Sequence, residues 1–292
     1  MADMKRNFGF FTIGLAFVLV IALLATGCTQ APSGSGTTPE KTGAAVQTLA
    51  VTGSTTVLPI AQAAGEAYMD SHAAADIQVS GGGSSVGVQA VGEGTTDIGM
   101  SSRDLKSEEK TRYPGLVTTV IGNDGIAMIV HPSNTISTLT LEQVRGIYLG
   151  NYTNWKELGG PDSTIVVIGR DSASGTREFF TESVMKKANT LPGMLEKNSN
   201  GAVKQTVSQT PGAIGYVGLG YISGDVKALG LDVNGVVTEP TVQNVIDGKY
   251  PVSRPLLMLT NGEPQGLAKD YIDFILSKEG QAIVKDEGYV PL

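Results

Sequence analysis

Three times in this chain a run of glycine and hydroxyl residues separates a β-branched apolar stretch from a stretch with helical spacing. The runs are Thr52-Gly53-Ser54-Thr55-Thr56-Val57-Leu58-Pro59, Ser80-Gly81-Gly82-Gly83-Ser84-Ser85-Val86-Gly87 and Arg170-Asp171-Ser172-Ala173-Ser174-Gly175-Thr176-Arg177-Glu178. Strands are read at 49–51, 77–79, 98–100, 117–121, 126–130, 165–168 and 256–259. Between them Ile60, Ala63, Ala64, Ala67 and Tyr68 recur at the helical period, behind Pro59 in the first turn. Leu141, Val144, Ile147 and Tyr148 follow the capping candidate Thr140, with Gln143 three residues on. Leu267, Tyr271, Ile275 and Ile283 mark a C-terminal helical stretch broken near Gly280. This alternation predicts an α/β architecture with mainly parallel sheets.

Composition removes several function classes. Of 292 residues one is Cys and two are His, which excludes an internal disulfide and a Cys-rich zinc site and leaves little for a His-based triad. His72 and His131 read as surface or loop residues. A formal net charge of -7 argues against a nucleic-acid footprint. Ser172 and Ser174 lie outside any Gly-x-Ser-x-Gly elbow, and there is no Walker-type phosphate loop. A secreted phosphatase or hydrolase using Ser174 is therefore the weaker reading. No catalytic residue, metal or cofactor is expected.

The first residues read as an address. Lys5 and Arg6 precede an uncharged apolar stretch over 8–25, which ends in Leu24-Ala25-Thr26-Gly27-Cys28. The only cysteine sits where a lipid anchor needs one. An uncleaved membrane helix is the alternative, since about 18 apolar residues just span a bilayer. Both readings put the rest of the chain outside the cytoplasmic membrane. Residues 28–47 are small, polar and rich in Pro and Gly, as in a flexible tether.

The three hydroxyl-rich runs share one chemistry. Helix starts leave backbone N–H groups unpaired and carry partial positive charge. Glycine admits close approach, and hydroxyls add donors that also accept. Several such starts converging on one point would wrap a tetrahedral oxyanion, with Arg170 supplying a bidentate fork. The plainer alternative is that Thr55, Ser84 and Ser174 only cap their helices. Arg177 reads equally as a surface residue, Trp155 as packing, and Asn151-Tyr152-Thr153 as a weak sequon.

These residues resemble the phosphate-binding lipoproteins of ABC phosphate importers, the PstS family. The matching pieces are Gly53-Ser54-Thr55-Thr56-Val57, Gly83-Ser84-Ser85-Val86-Gly87, Asp97-Ile98-Gly99-Met100-Ser101-Ser102-Arg103 and Gly169-Arg170-Asp171-Ser172-Ala173-Ser174-Gly175-Thr176-Arg177. Tyr148-Leu149-Gly150 with Asn154-Trp155, Gly212-Ala213-Ile214-Gly215-Tyr216 and Tyr250-Pro251-Val252-Ser253-Arg254-Pro255 follow in family order. The resemblance implies a type II periplasmic-binding-protein fold: two α/β lobes joined by two hinge strands. It implies a first lobe of 48–125 plus 258–292 and a second of 126–257, with hinges near 125–130 and 255–260.

It also implies phosphate ligands at Thr55, Thr56, Ser84, Ser102, Arg170, Ser174, Gly175 and Thr176, and lipidation at Cys28. The partners it implies are inorganic phosphate, a membrane permease and the membrane itself, with the chain acting as a monomer. Some members of the family carry an Asp where this chain has Ser102. That carboxylate accepts the proton of phosphate and so rejects sulfate. Asp97, Asp171, Glu178 or Ser102 itself is left to take that role, and sulfate, molybdate or tungstate stay open as guests.

Overall fold

The structure is a computed structural model that describes residues 45–292. The readings of a signal peptide over 1–27, a lipid at Cys28 and most of the tether lie outside the described residues. Residue 47, expected at the end of the tether, belongs instead to the first strand, where the Gln47 N–H donates to Ala74 O at 2.8 Å.

The chain runs through β1 (Gln47–Gly53), α1 (Leu58–Ser71), β2 (Ala75–Gly81), α2 (Ser84–Gly92), β3 (Ile98–Ser101), α3 (Ser107–Arg112) and β4 (Leu116–Val130). It continues through β5 (Thr138–Thr140), α4 (Leu141–Leu149), β6 (Val166–Arg170), α5 (Gly175–Ser183), β7 (Leu195–Lys197), α6 (Asn200–Gln209) and β8 (Ala213–Gly218). Short strands β9 (Lys227–Ala228), β10 (Gly230–Val233) and β11 (Val236–Thr238) lead to α7 (Val242–Ile246), β12 (Ser253–Asn261), α8 (Gly266–Leu276) and α9 (Lys278–Asp286).

One continuous sheet has the order β2-β1-β3-β12-β4-β8-β6-β7, with β9 also on β4. The pairs β1–β2, β1–β3, β6–β7 and β6–β8 are parallel, as the alternation predicts. However, β12 runs antiparallel to both β3 and β4, and β4 antiparallel to β8, so the sheet is mixed. The stretches 117–121 and 126–130 are one strand, not two. Gly122, Asn123, Asp124 and Gly125 read as a break, yet they keep the ladder opposite Leu256, Pro255, Arg254 and Ser253. The C-terminal helices part at Ser277, not Gly280: Ser277 Oγ accepts from Gly280 N at 3.2 Å and starts α9.

The two largest hydrophobic cores take opposite ends of β4, Ile121 in one and Ile126, Met128 and Val130 in the other. Val51, Ile60, Ala64, Ile98, Met100, Ile121, Leu256, Met258, Tyr271 and Ile275 form one. Met128, Val144, Ile147, Tyr148, Trp155, Phe180, Tyr216 and Tyr250 belong to the other. There Phe180 stacks on Tyr216 with ring centroids 4.2 Å apart. Trp155 is core, its Nε1 donating to Gly212 O at 2.8 Å. Thr140 caps α4 as its spacing predicts, accepting from Gln143 N at 3.1 Å. The result is two α/β lobes, each with its own core, joined through β4 and β12.

Candidate functional site

The first hydroxyl run leaves β1 at Gly53, whose φ of +143° few side chains adopt. A Cβ there would strike the backbone of Met100 and Gly87, so glycine lets β1, α2 and β3 pack main chain to main chain. That packing turns Ser54, Thr55 and Thr56 inward, where all three are buried. The second run is pinned beside it, because Gly82 N and Gly83 N both donate to Gly53 O, at 2.8 and 2.9 Å. Ser84 follows at the start of α2 and is fully buried. Its Oγ accepts from Ser102 N at 3.1 Å and lies 3.4 Å from Ser102 Oγ.

The third run comes from the other lobe. Ser174 caps α5, its Oγ accepting from Arg177 N at 3.1 Å, so capping does occupy one of its lone pairs. Ser84 and Thr55 do not cap their helices: their oxygens accept from Ser102 N and from Asn200 Nδ2. Gly175 lies against the first lobe; a Cβ there would collide with Ser84 Oγ and sit 3.1 Å from Ser102 Oγ. Thr176 Oγ1 meets Thr56 Oγ1 at 3.0 Å across the lobes. Of the residues expected to bind a guest, Thr55, Thr56, Ser84, Ser102, Ser174, Gly175 and Thr176 are therefore gathered where the lobes meet, and the six hydroxyls among them are all buried.

Arg170 ends β6 and is 1% exposed. Its Nε donates to Lys197 O and its Nη2 to Asn198 O, both at 3.1 Å. Nη1 is buried and has no hydrogen-bond partner, and no carboxylate among the described residues forms an ion pair with the group. Burial, with the charge of Arg254 adding to it, pulls the Arg170 guanidinium below its ordinary value. Leaving a buried cation uncompensated is costly, so such a site favours an anion. Arg177 is not a free surface residue: its Nη1 donates to Arg170 O at 2.8 Å and pairs with Glu196 at 2.6 Å.

Several neighbours escaped the sequence reading. Arg254 opens β12 directly opposite Asp124 of β4. Its Nε and Nη2 donate to Asp124 Oδ2 at 3.2 and 2.8 Å, and both side chains are fully buried. Burial pushes the Asp124 carboxyl up, against the opposing pull of Arg254. Arg254 Nη2 also donates to Thr56 Oγ1 at 3.2 Å and Thr176 Oγ1 at 3.0 Å, while its Nη1 is buried and unpartnered. Asn200 begins α6 and reaches Thr55 and Thr56. Tyr221 OH donates to Thr55 O at 2.5 Å, and burial pushes its phenol up to about 12, so it stays a neutral donor. Asn200 stands between Ser199 and Gly201, but the strand before it, β7, has only three residues and no readable period, and Arg254 lies in a run that reads only as a strand start.

A second set of contacts closes the rim. Ser85 N donates to Ala173 O at 3.1 Å. Arg103 Nε lies 2.7 Å and Lys106 Nζ 3.1 Å from Glu178 Oε2, which joins α5 to the other lobe. The Arg103 Nε–H is not aligned for a hydrogen bond, so that contact is Coulombic. Asp97 Oδ2 accepts from Ala50 N at 2.7 Å and ties its own turn to β1.

A family profile described as a PBP superfamily domain matches residues 38–279. The phosphate-binding protein PstS of Bacillus subtilis is 33% identical over 290 residues, covering 99% of this chain and 95% of that protein. This chain belongs to the PstS family. A crystal structure of a phosphate ABC transporter substrate-binding protein from Clostridium perfringens, with bound phosphate, superposes with a TM-score of 0.79 at 40% identity. It covers 84% of this chain and all of that one. An ABC-type phosphate transport receptor from Vibrio cholerae gives a TM-score of 0.68 at 32% identity over 84% of this chain and 100% of its own. The PstS family and these neighbours place the two lobes and their crossing strands in the type II periplasmic-binding-protein fold.

Proposed function

We propose that this chain is an extracytoplasmic solute-binding protein that captures inorganic phosphate between its lobes and hands it to the membrane permease of an ABC importer. The observation that carries this is Arg170: a buried guanidinium with an unpartnered Nη1, ending the strand that leads into the third hydroxyl run and close enough to Arg254 to feel its charge. Thr55, Ser84 and Ser102 supply contacts from the first lobe, and Thr56, whose hydroxyl meets Thr176 across the lobes, lines the site between them; Arg170, Ser174, Thr176 and the Gly175 amide supply contacts from the second. The lobes take 48–125 plus 258–292 and 126–257. Leu256 and Met258 pack in the first core and Tyr250 and Val252 in the second, which draws the second hinge back toward 252–256.

Charge-assisted hydrogen bonds contribute about 1.5–3 kcal/mol each. Arg170→Ala therefore weakens phosphate binding at least about tenfold by isothermal titration calorimetry; unchanged affinity removes Arg170 from the site. Among the carboxylates weighed for the proton of phosphate, Asp97 and Glu178 have other partners. Asp171 keeps a buried Oδ1 with no hydrogen-bond partner. Asp171→Asn narrows the preference for phosphate over sulfate in competition titrations; an unchanged ratio assigns the role elsewhere.

One observation favours a second reading. The hydroxyl of Ser102 is neutral and paired with Ser84, so sulfate, molybdate or tungstate meets no charged acceptor at that point. Failure of phosphate to displace bound sulfate would decide for it. Attachment to the outer face of the membrane rests on Cys28; Cys28→Ser releases the protein to the soluble fraction if the lipid is there.

A further inference from the structure

The threonine side of the site has a hydrogen-bond direction that can be counted atom by atom. A hydroxyl accepts twice and donates once. Asn200 Oδ1 accepts from Gly218 N at 3.3 Å, which turns Nδ2 toward the threonines. Nδ2 then donates to Thr55 Oγ1 at 3.1 Å and to Thr56 Oγ1 at 3.0 Å, using both of its hydrogens. The two hydrogens on Arg254 Nη2 serve three acceptors, one going to Asp124 and one shared by Thr56 and Thr176. Thr56 Oγ1 thus accepts from Asn200 and from Arg254, and both lone pairs are filled. Its own proton goes to its remaining neighbour, Thr176 Oγ1, 3.0 Å away. Thr176 Oγ1 now accepts from Arg254 and from Thr56, so its proton must point elsewhere. Thr55 Oγ1 accepts from Asn200 Nδ2 and, at 3.4 Å, from Asn200 N, which frees its proton in the same way.

We infer that Arg254 and Asn200 are positioning residues that fix the hydroxyls of Thr55 and Thr176 as donors toward the guest. Neither belongs to the set assigned to contact the anion. Arg254 is held for this by Asp124, directly across the two hinge strands. Asn200 is held by the main chain of β8. The consequence is specificity for charge state. This side of the pocket offers only donors, so it takes the ionised oxygens of a tetrahedral anion. A protonated oxygen must face the serine side, where Ser174 Oγ accepts only from Arg177 N and keeps a lone pair free. The inference rests on the reading of the guest as phosphate.

The test is a titration of inorganic phosphate into the purified full chain from pH 5.5 to 8.5, with four proteins: wild type, Thr55→Val, Asn200→Asp and the double variant. A carboxylate at 200 accepts where the amide donated, so the threonine hydroxyls turn to it and away from the guest. Thr55→Val is expected to weaken binding about tenfold in the wild-type background. In the Asn200→Asp background at pH 8 it is expected to change binding less than about twofold. As pH falls and the new carboxyl takes up a proton, Asn200→Asp recovers affinity and the Thr55→Val penalty returns with it. Equal penalties in both backgrounds at pH 8 overturn the inference, because simple charge repulsion by a carboxylate leaves the Thr55 contribution intact.

Arg254 is tested with the paired replacement Asp124→Leu/Arg254→Met, since removing one partner alone strands a buried charge and the swap of both is often tolerated. A thermal midpoint close to wild type with at least about tenfold weaker phosphate binding supports the assignment. A folded double variant with unchanged affinity refutes it for Arg254, and the Asn200 arm decides the rest. Wild-type protein that binds no phosphate counts against the functional reading, whereas binding without the Thr55–Asn200 coupling counts against the donor assignment alone.

Discussion

A methyl group at position 175 has nowhere to go: Ser84 Oγ occupies its place, and Ser84 is itself held by the main chain of Ser102. Gly175→Ala therefore separates the third hydroxyl run from the first lobe. Overpacking of this kind costs about 1–3 kcal/mol. Because the contact exists only where the lobes meet, the penalty falls on the bound form. Phosphate affinity is expected to drop about five- to 150-fold by calorimetry, with little change in the thermal midpoint of the phosphate-free protein. At the same scale, Gly53 and the buried Thr56 illustrate what a sequence reveals well. A glycine between a strand and a Pro-led helix leaves one main explanation, close backbone approach. Arg254 is the opposite case: its partner Asp124 lies 130 residues away in the chain, and only the register of β12 on β4 makes them a pair.

Among the elements, α3 is where pH enters. Arg103 donates to Glu109 at 2.7 and 2.8 Å, and Lys106 N donates to the same carboxylate at 2.9 Å. Burial pushes the Glu109 carboxyl up, but the hydrogen bond and charge of Arg103 and the Lys106 amide outweigh it, and the group ends below its ordinary value. Over that range the unfolded chain binds more protons than the folded one, so stability rises with pH. The contribution is complete above the ordinary glutamate value near about 4.3 and fades as pH falls through the lowered one. Glu109→Gln is expected to cost about 1 kcal/mol near neutral pH and progressively less in acid, measured by urea unfolding; a cost independent of pH would contradict the assignment. Glu178, which joins Arg103 and Lys106 across the rim, acts on closure instead. Glu178→Gln is expected to weaken phosphate about two- to fivefold and to lessen the effect of salt on binding. The elements themselves divide by length. Long segments with clean periodicity, such as α1, α4 and β6, read correctly from spacing. The short strands β5, β7 and β9–β11 carry too few residues for a period to show. The polar Asn123-Asp124 centre of β4 reads as a turn because its partners, Val290 and Arg254, come from the far end of the chain.

At the scale of the whole molecule, the sheet is continuous from one lobe to the other, and both hinge strands pass the ion pair Asp124–Arg254. The pair anchors the hinge and touches hydroxyls from each lobe, so the pivot and the pocket are mechanically one unit. Phosphate that bonds both lobes shifts the population toward the closed form, because only that form offers both sets of donors. The overall charge of -7 does not oppose capture, since exposed charge is screened beyond about 8 Å at physiological salt. The α/β alternation and a candidate oxyanion site were legible in the chain itself and the two lobes in its family resemblance, whereas the second arginine was not, since only strand register pairs it with Asp124, nor was Asn200, whose Ser199-Asn200-Gly201 start follows a strand of three residues. The most direct measurement is small-angle X-ray scattering of wild type and Arg170→Ala with and without saturating inorganic phosphate. The radius of gyration is expected to fall on adding phosphate to wild type and to stay constant for Arg170→Ala. Phosphate binding to wild type with no change in dimensions, or equal compaction in both proteins, would contradict capture between the lobes through Arg170.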